Sequence, residues 1–259
     1  MRANSFSPEH DPLNHAFAVY VGSGFYVADG RSVFIFRVTP KAKLRSEEEK
    51  SFGIRIRINA TFGFYDLKPE DFLNFELPDS VSTFALVPGV EFPIKLNENW
   101  TLMPFVDFGP ATDTEFNDLT WVVGTGARSR AEFQDKRHLY VLWNEFIYAN
   151  NISDDDFERQ DYTVFRTDFE MRKLVKFKLL KRDLDLGLLA KGDWYFDTVL
   201  IDLPFDGEVT LRKRYELGLT VGSTRKYMFK KLLTAPRFAV TYIAGDGASG
   251  VRLALRFRN

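Results

Sequence analysis

The chain has 3 histidines and no cysteine, so a nucleophilic site would have to rest on a serine or threonine beside a histidine. On an extended strand those two groups share a face only when they are two residues apart, as in H-x-S. The histidines stand in His10-Asp11-Pro12, His15-Ala16-Phe17 and His138-Leu139-Tyr140, and none has that companion. His138, Asn144 and Glu145 share one predicted strand, but they lack a nucleophile. We read His138 as a strand-end residue and expect no catalytic residue.

Metal and phosphate sites fare no better. Asp154, Asp155, Asp156, Glu158 and Asp161 supply carboxylates, but the run lacks the alternating ligand spacing and the glycine of a calcium loop. It is expected to be a solvated acidic loop. The glycines of GSG (22–24) and GTGA (124–127) lie in predicted strands with no helix following, so they do not cradle a phosphate. Close approach or strand curvature explains them. No cofactor and no metal are expected.

What remains is a set of charges held mid-strand. Arg55, Arg57, Glu91, Asp107, Arg128, Arg130, Glu132, Arg166, Asp168, Arg212, Arg214 and Glu216 each fall on the polar parity of a segment whose other parity is apolar. In FGIRIRINATFGFYD (52–66), Phe52, Ile54, Ile56, Ile58, Ala60, Phe62 and Phe64 alternate with polar residues. That is a strand with two unlike faces. The pattern recurs along the chain and gives roughly twelve strands, over 15–28, 31–40, 52–66, 80–96, 100–108, 119–134, 138–149, 165–172, 184–196, 208–221, 236–245 and 250–259. We expect an all-β fold with no helix of any length: residues 1–14 as a periplasmic or lumenal segment, then a single antiparallel barrel over 15–259.

Strand length and aromatic placement set the solvent. Most segments reach the roughly 9–11 residues that cross an apolar band. With odd strands running one way and even strands the other, Phe52, Trp100, Phe133 and Phe257 collect at one rim. Phe62, Phe64, Phe108, Trp121, Trp194 and Phe196 collect at the other, and the aliphatic residues lie between. Two aromatic girdles are what a bilayer selects. The loops between 66 and 82, 111 and 118, 150 and 161, and 197 and 207 lie on one side. Tight turns at 97–100 and 134–137 lie on the other, although the connections near 41–50 and 225–235 are longer than a short-turn side requires. The charges would then face a lumen, and their near-balance of sign favours ion pairing over a selective pore.

Composition excludes other classes. Net charge is −1, without the basic excess of a nucleic-acid binder. No apolar run is long enough for a membrane helix. The first residues lack a signal core, so export would use a signal peptide absent from this chain.

The segments ALVPGVEFPIKLNENWTLMPFVDFG (85–109), DLTWVVGTGARSR (118–130) and GVRLALRFRN (250–259) resemble outer-membrane autotransporter β-domains, most of all the solitary autotransporter-like barrels that lack a passenger. The final residues depart from the pattern, with Arg258 and Asn259 following Phe257. With about fourteen residues before the first strand, no lumen-spanning helix and passenger of a full autotransporter are expected. The resemblance implies an outer-membrane location in a Gram-negative bacterium. It also implies contact with membrane lipid and lipopolysaccharide, assembly by the barrel-assembly machinery, and a non-catalytic monomer whose lumen is largely filled by charged side chains. Alternatives are a narrow porin, an outer-membrane lipid hydrolase, or a soluble barrel holding an apolar ligand.

Overall fold

The computed structural model describes residues 15–28, 31–48, 52–65, 83–113, 118–135, 137–152, 161–179, 182–203, 207–223, 227–228, 233–234, 237–246 and 248–256. Period-2 segments become strands as their alternation requires. In chain order these are β1 (Gly24–Ala28), β2 (Arg31–Val38), β3 (Lys41–Arg45), β4 (Ile54–Tyr65), β5 (Thr83–Glu91), β6 (Ile94–Lys95), β7 (Trp100–Asp113) and β8 (Asp118–Gln134). They continue as β9 (His138–Ile152), β10 (Tyr162–Leu179), β11 (Arg182–Leu203), β12 (Gly207–Ser223), β13 (Tyr227–Met228), β14 (Leu233–Thr234), β15 (Arg237–Gly245) and β16 (Ala248–Arg256).

The main sheet runs β1-β2-β4-β5-β7-β8-β9-β10-β11-β12-β15-β16, each strand antiparallel to the next. Its two ends, β1 and β16, lie side by side. Arg252 Nη2 of β16 donates to the Ser23 carbonyl at 2.6 Å, just ahead of β1. The sheet is therefore an antiparallel barrel, and its main path passes through the same twelve segments that the sequence pattern marks.

The two over-long connections resolve into short strands. β3 continues β2 along β4, with Val38 opposite Ala60 and Lys41 opposite Arg57. Pro40 marks the break, since it has no N–H for the ladder. β13 and β14 pair with each other outside the main sheet. One expected loop is also a strand. Beyond a register shift between Trp194 and Val199, β11 and β12 pair on from Val199↔Leu211 to Leu203↔Gly207 as an extended hairpin.

Residues 15–21 correct the expectation of a strand and of no helix: they form α1 (His15–Val21). HAFAVYV has no period-2 alternation, and a short segment apolar all round is stable as a helix only when buried. Ala16, Val19 and Tyr20 pack inside the barrel against Ala85, Val87, Ala111, Val122, Ile147, Ala149 and Val164. Gly22 then takes φ 97°, the left-handed conformation that ends a helix at low cost only for glycine. The chain reverses there into β1.

Candidate functional site

The barrel is charged inside and apolar outside. Arg57, Glu91 and Asp193 are 0% exposed, while Leu217 is 66% and Phe238 63% exposed. Alternation forces this arrangement once one parity faces inward. The buried charges are not scattered but run from strand to strand.

Arg57 of β4 grips Asp107 of β7 with two nitrogens, one of them Nε to Oδ1 at 2.8 Å. Its guanidinium lies 4.1 Å from the Phe105 ring centroid, with that of Arg128 at 4.4 Å from the same ring. Glu91 of β5 accepts from Arg128 Nη1 at 3.1 Å and from Lys41 Nζ at 3.2 Å, with Arg55 at 3.6 Å and Arg57 at 3.7 Å. Arg128 also holds Glu145, whose other oxygen accepts from Arg166 at 3.1 Å. Arg166 donates on to Asp193 at 2.7 Å. Arg214 and Lys191 hold Asp193 as well, Lys191 at 3.1 Å. Glu216 accepts from Lys191 at 3.0 Å and from Arg252 at 2.8 Å. Alternating charge thus passes from Asp107 to Arg252 through β4, β5, β8, β9, β10, β11, β12 and β16. A second group, in which Arg237 and Arg172 hold Glu170 and Arg237 also holds Asp185, joins β10, β11 and β15.

The belt ties down α1. Tyr20 Oη donates to Asp107 Oδ2 at 2.7 Å. Three arginines from separate strands donate to carbonyls at the end of the helix and in its turn: Arg37 to Val19 at 2.7 Å, Arg166 to Tyr20 at 3.1 Å and Arg252 to Ser23 at 2.6 Å. Helix C-termini leave such carbonyls without partners and favour cations. At the other end the Ala16 N–H donates to Asn151 Oδ1 at 2.9 Å. Gly124 leaves room for the helix, since a Cβ there would stand 1.8 Å from Tyr20 Oη.

Most of the predicted inward charges meet in these networks. Arg130 pairs with Glu132 on its own strand, and Asp107 pairs with Arg57. Asp168 is buried on the same face. Arg212 departs from the set: it is exposed and makes no ion pair among the described residues. The interior is also not charged throughout, because α1 and its apolar wall occupy one part of it. That wall escaped the sequence reading because Val87 and Val122 sit on parities made mostly of polar or small residues, while around Ile147 both parities carry apolar residues.

The aromatic residues meet in pairs between strands. Phe108 stacks on Trp121 at 5.0 Å and 6°, and Phe62 meets Phe84 at 5.1 Å. Phe64 stacks on Phe34 at 6.0 Å, Trp194 packs between Phe165 and Tyr215, and Phe196 meets Phe146. Toward the other rim, Phe52 meets Phe92 at 6.4 Å, and Trp100 and Phe133 are exposed. Phe257 lies outside the described residues, as do His10 and Asp154 to Glu158.

Among the described residues, His138 has one acid partner. Its Nδ1 is 3.6 Å from Asp135 Oδ1 in the turn before β9. Glu145 is buried inside the barrel. Asn144, its neighbour on the strand, takes the opposite face, where Thr167 Oγ1 donates to it.

No family model and no curated protein matches the sequence. Among solved structures, the chain is similar to the crystal structure of the β domain of the Bordetella autotransporter BrkA. The identity is 9%, the match covers 91% of this chain and 92% of that one, and the TM-score is 0.48.

Proposed function

We propose that the chain is a non-catalytic outer-membrane β-barrel whose lumen is closed at rest by α1 and the alternating charge belt. The reading rests on one observation above all: the barrel is inside out relative to a water-soluble protein. Large apolar side chains such as Leu217, Leu219, Phe238 and Leu253 are exposed on its outer wall, while arginine, aspartate and glutamate are buried within. Water would penalise that wall, whereas hydrocarbon does not. Aromatic pairs toward both ends fit the two interfaces of a bilayer.

Closure follows from what fills the interior. Each buried arginine of the belt has a carboxylate partner, so the belt offers no single-sign ring to draw ions. A narrow channel and a lipid hydrolase have less support, the second because no serine or threonine is bonded to His138 among the described residues.

Single cysteines test the membrane reading, since the chain has none of its own. Ile56→Cys, in folded protein reconstituted into lipid, should resist a water-soluble maleimide and react with a lipid-soluble one. The folded form should also migrate differently from the heated form on gels. Full reaction of Ile56→Cys with the water-soluble reagent would overturn the reading.

A further inference from the structure

The outer wall is not uniformly apolar. Outward positions on β4, β12, β15 and β16 carry Ile56, Ile58, Leu217, Leu219, Val240 and Leu253. On β8, β9 and β10 the outward positions Ser129, Asn144 and Thr167 instead stand directly opposite one another. Trp100 Nε1 donates to Ser129 Oγ at 2.7 Å, and Thr167 Oγ1 donates to Asn144 Oδ1 at 2.7 Å. Among the described residues the carboxamide NH2 of Asn144 donates to nothing.

Depth makes this row unusual. Asn144 lies midway along β9 between Tyr140 and Tyr148, about 14 Å of strand from each. The two tyrosines donate outward to acids at opposite ends, Tyr140 to Asp135 at 3.4 Å and Tyr148 to Asp161 at 3.1 Å. Tyrosines in this arrangement mark the two membrane interfaces, which puts Asn144 near the midplane. Hydrocarbon offers no acceptor there, and an unmet amide donor is costly.

We propose that this row is the contact surface for a second copy of the chain, with the two Asn144 carboxamides paired across a two-fold axis along the membrane normal. The proposal rests on the membrane reading above. A carboxamide carries both donors and an acceptor, so it is its own complement. A two-fold axis brings the residue to itself at equal depth and closes a reciprocal pair of N–H···O bonds, which is how an isologous interface works. The Thr167 hydroxyl already takes one lone pair of Oδ1, and a carbonyl oxygen has a second for the partner copy. Polar side chains join helices within membranes by the same means. An amide on a packed interface also fixes register and copy number. The apolar sectors on β4, β12, β15 and β16 have no such need and face lipid.

A two-fold axis through Asn144 sets Ser129 of one copy against Thr167 of the other, since the two flank Asn144 on β8 and β10. Ser129→Cys/Thr167→Cys and Val240→Cys, each in the full chain in proteoliposomes, form the test. Within one copy the paired thiols lie two strands apart, beyond disulfide reach. After mild oxidation Ser129→Cys/Thr167→Cys should give a covalent dimer and Val240→Cys should not. Adding Asn144→Leu to the double variant should lower the dimer yield about threefold to tenfold, the range expected for one interhelical-type hydrogen-bonded pair. The heat-modifiable fold should be unchanged. Thiols protected from water-soluble reagent but giving no dimer in either variant would overturn the pairing alone. A Val240→Cys thiol that reacts freely with that reagent would instead sink the membrane reading. Cross-linking of the double variant to a different protein in native membranes would also overturn the second-copy assignment.

Discussion

Tyr20 and Asp107 meet across the barrel interior, with the phenolic hydroxyl of α1 2.7 Å from a carboxylate oxygen of β7. Arg57 grips the same carboxylate, so one acid fastens both the helix and the charge belt. Asn59 Nδ2 adds a third contact to it at 3.3 Å.

Tyr20→Phe removes a hydrogen bond to a charged group and leaves the ring packing in place. The expected loss is about 1.5–3 kcal/mol, read as a lower unfolding midpoint of the lipid-reconstituted protein in denaturant. An unchanged midpoint would mean that the helix is not held there.

Gly124→Val places side-chain atoms where Tyr20 Oη now stands. The barrel should still fold, because Gly124 lies within the β8 ladder opposite Asp107 and Ala149, but α1 should be driven from its seat. Limited proteolysis should then cut within residues 15–21 at least tenfold faster than in the unmodified protein, a shift of about 1.4 kcal/mol in the opening equilibrium. Equal cutting rates would contradict the packing described.

Arg128→Ala would take a guanidinium from both Glu91 and Glu145, leaving the first to Lys41 and the second to Arg166. Removing one partner of a buried pair costs up to about 3–5 kcal/mol. Arg212→Ala, at an exposed position with no ion pair among the described residues, should cost almost nothing. Comparable losses for the two variants would mean that the belt contributes no more than a surface charge.

Acid should act at the turn before β9. Asp135 accepts the backbone N–H groups of Arg137 at 2.6 Å and His138 at 2.7 Å, and these hold its carboxyl below the ordinary value. A depressed folded value means that the contribution is complete above the unfolded value, about 3.9, and is lost as pH falls through the folded one. The unmodified barrel should therefore lose more stability between pH 5 and pH 2, taken as a rough window, than Asp135→Ala does. Parallel acid curves for the two would remove the assignment.

The sequence made the strands legible because alternation is local: Ile54, Ile56 and Ile58 against Arg55 and Arg57 need no partner to be read. Inward charges were legible for the same reason, although their pairing was not. Arg57 finds Asp107 across a register that only the folded ladders define. The helix was hidden because HAFAVYV is too short and too uniformly apolar to show a period, and its reason for being helical lies in the wall around it. Ser129, Asn144 and Thr167 look unremarkable in their own segments, and only strand register lines them up.

Conductance across a planar bilayer tests the closed-lumen account most directly. The unmodified protein should insert with little or no steady current, and a variant lacking residues 1–21 should show stable open steps. Gly124→Val should show the same steps, which guards against a deletion that fails to fold. Strong steady current from the unmodified protein, unchanged in both variants, would contradict closure by α1 and the belt.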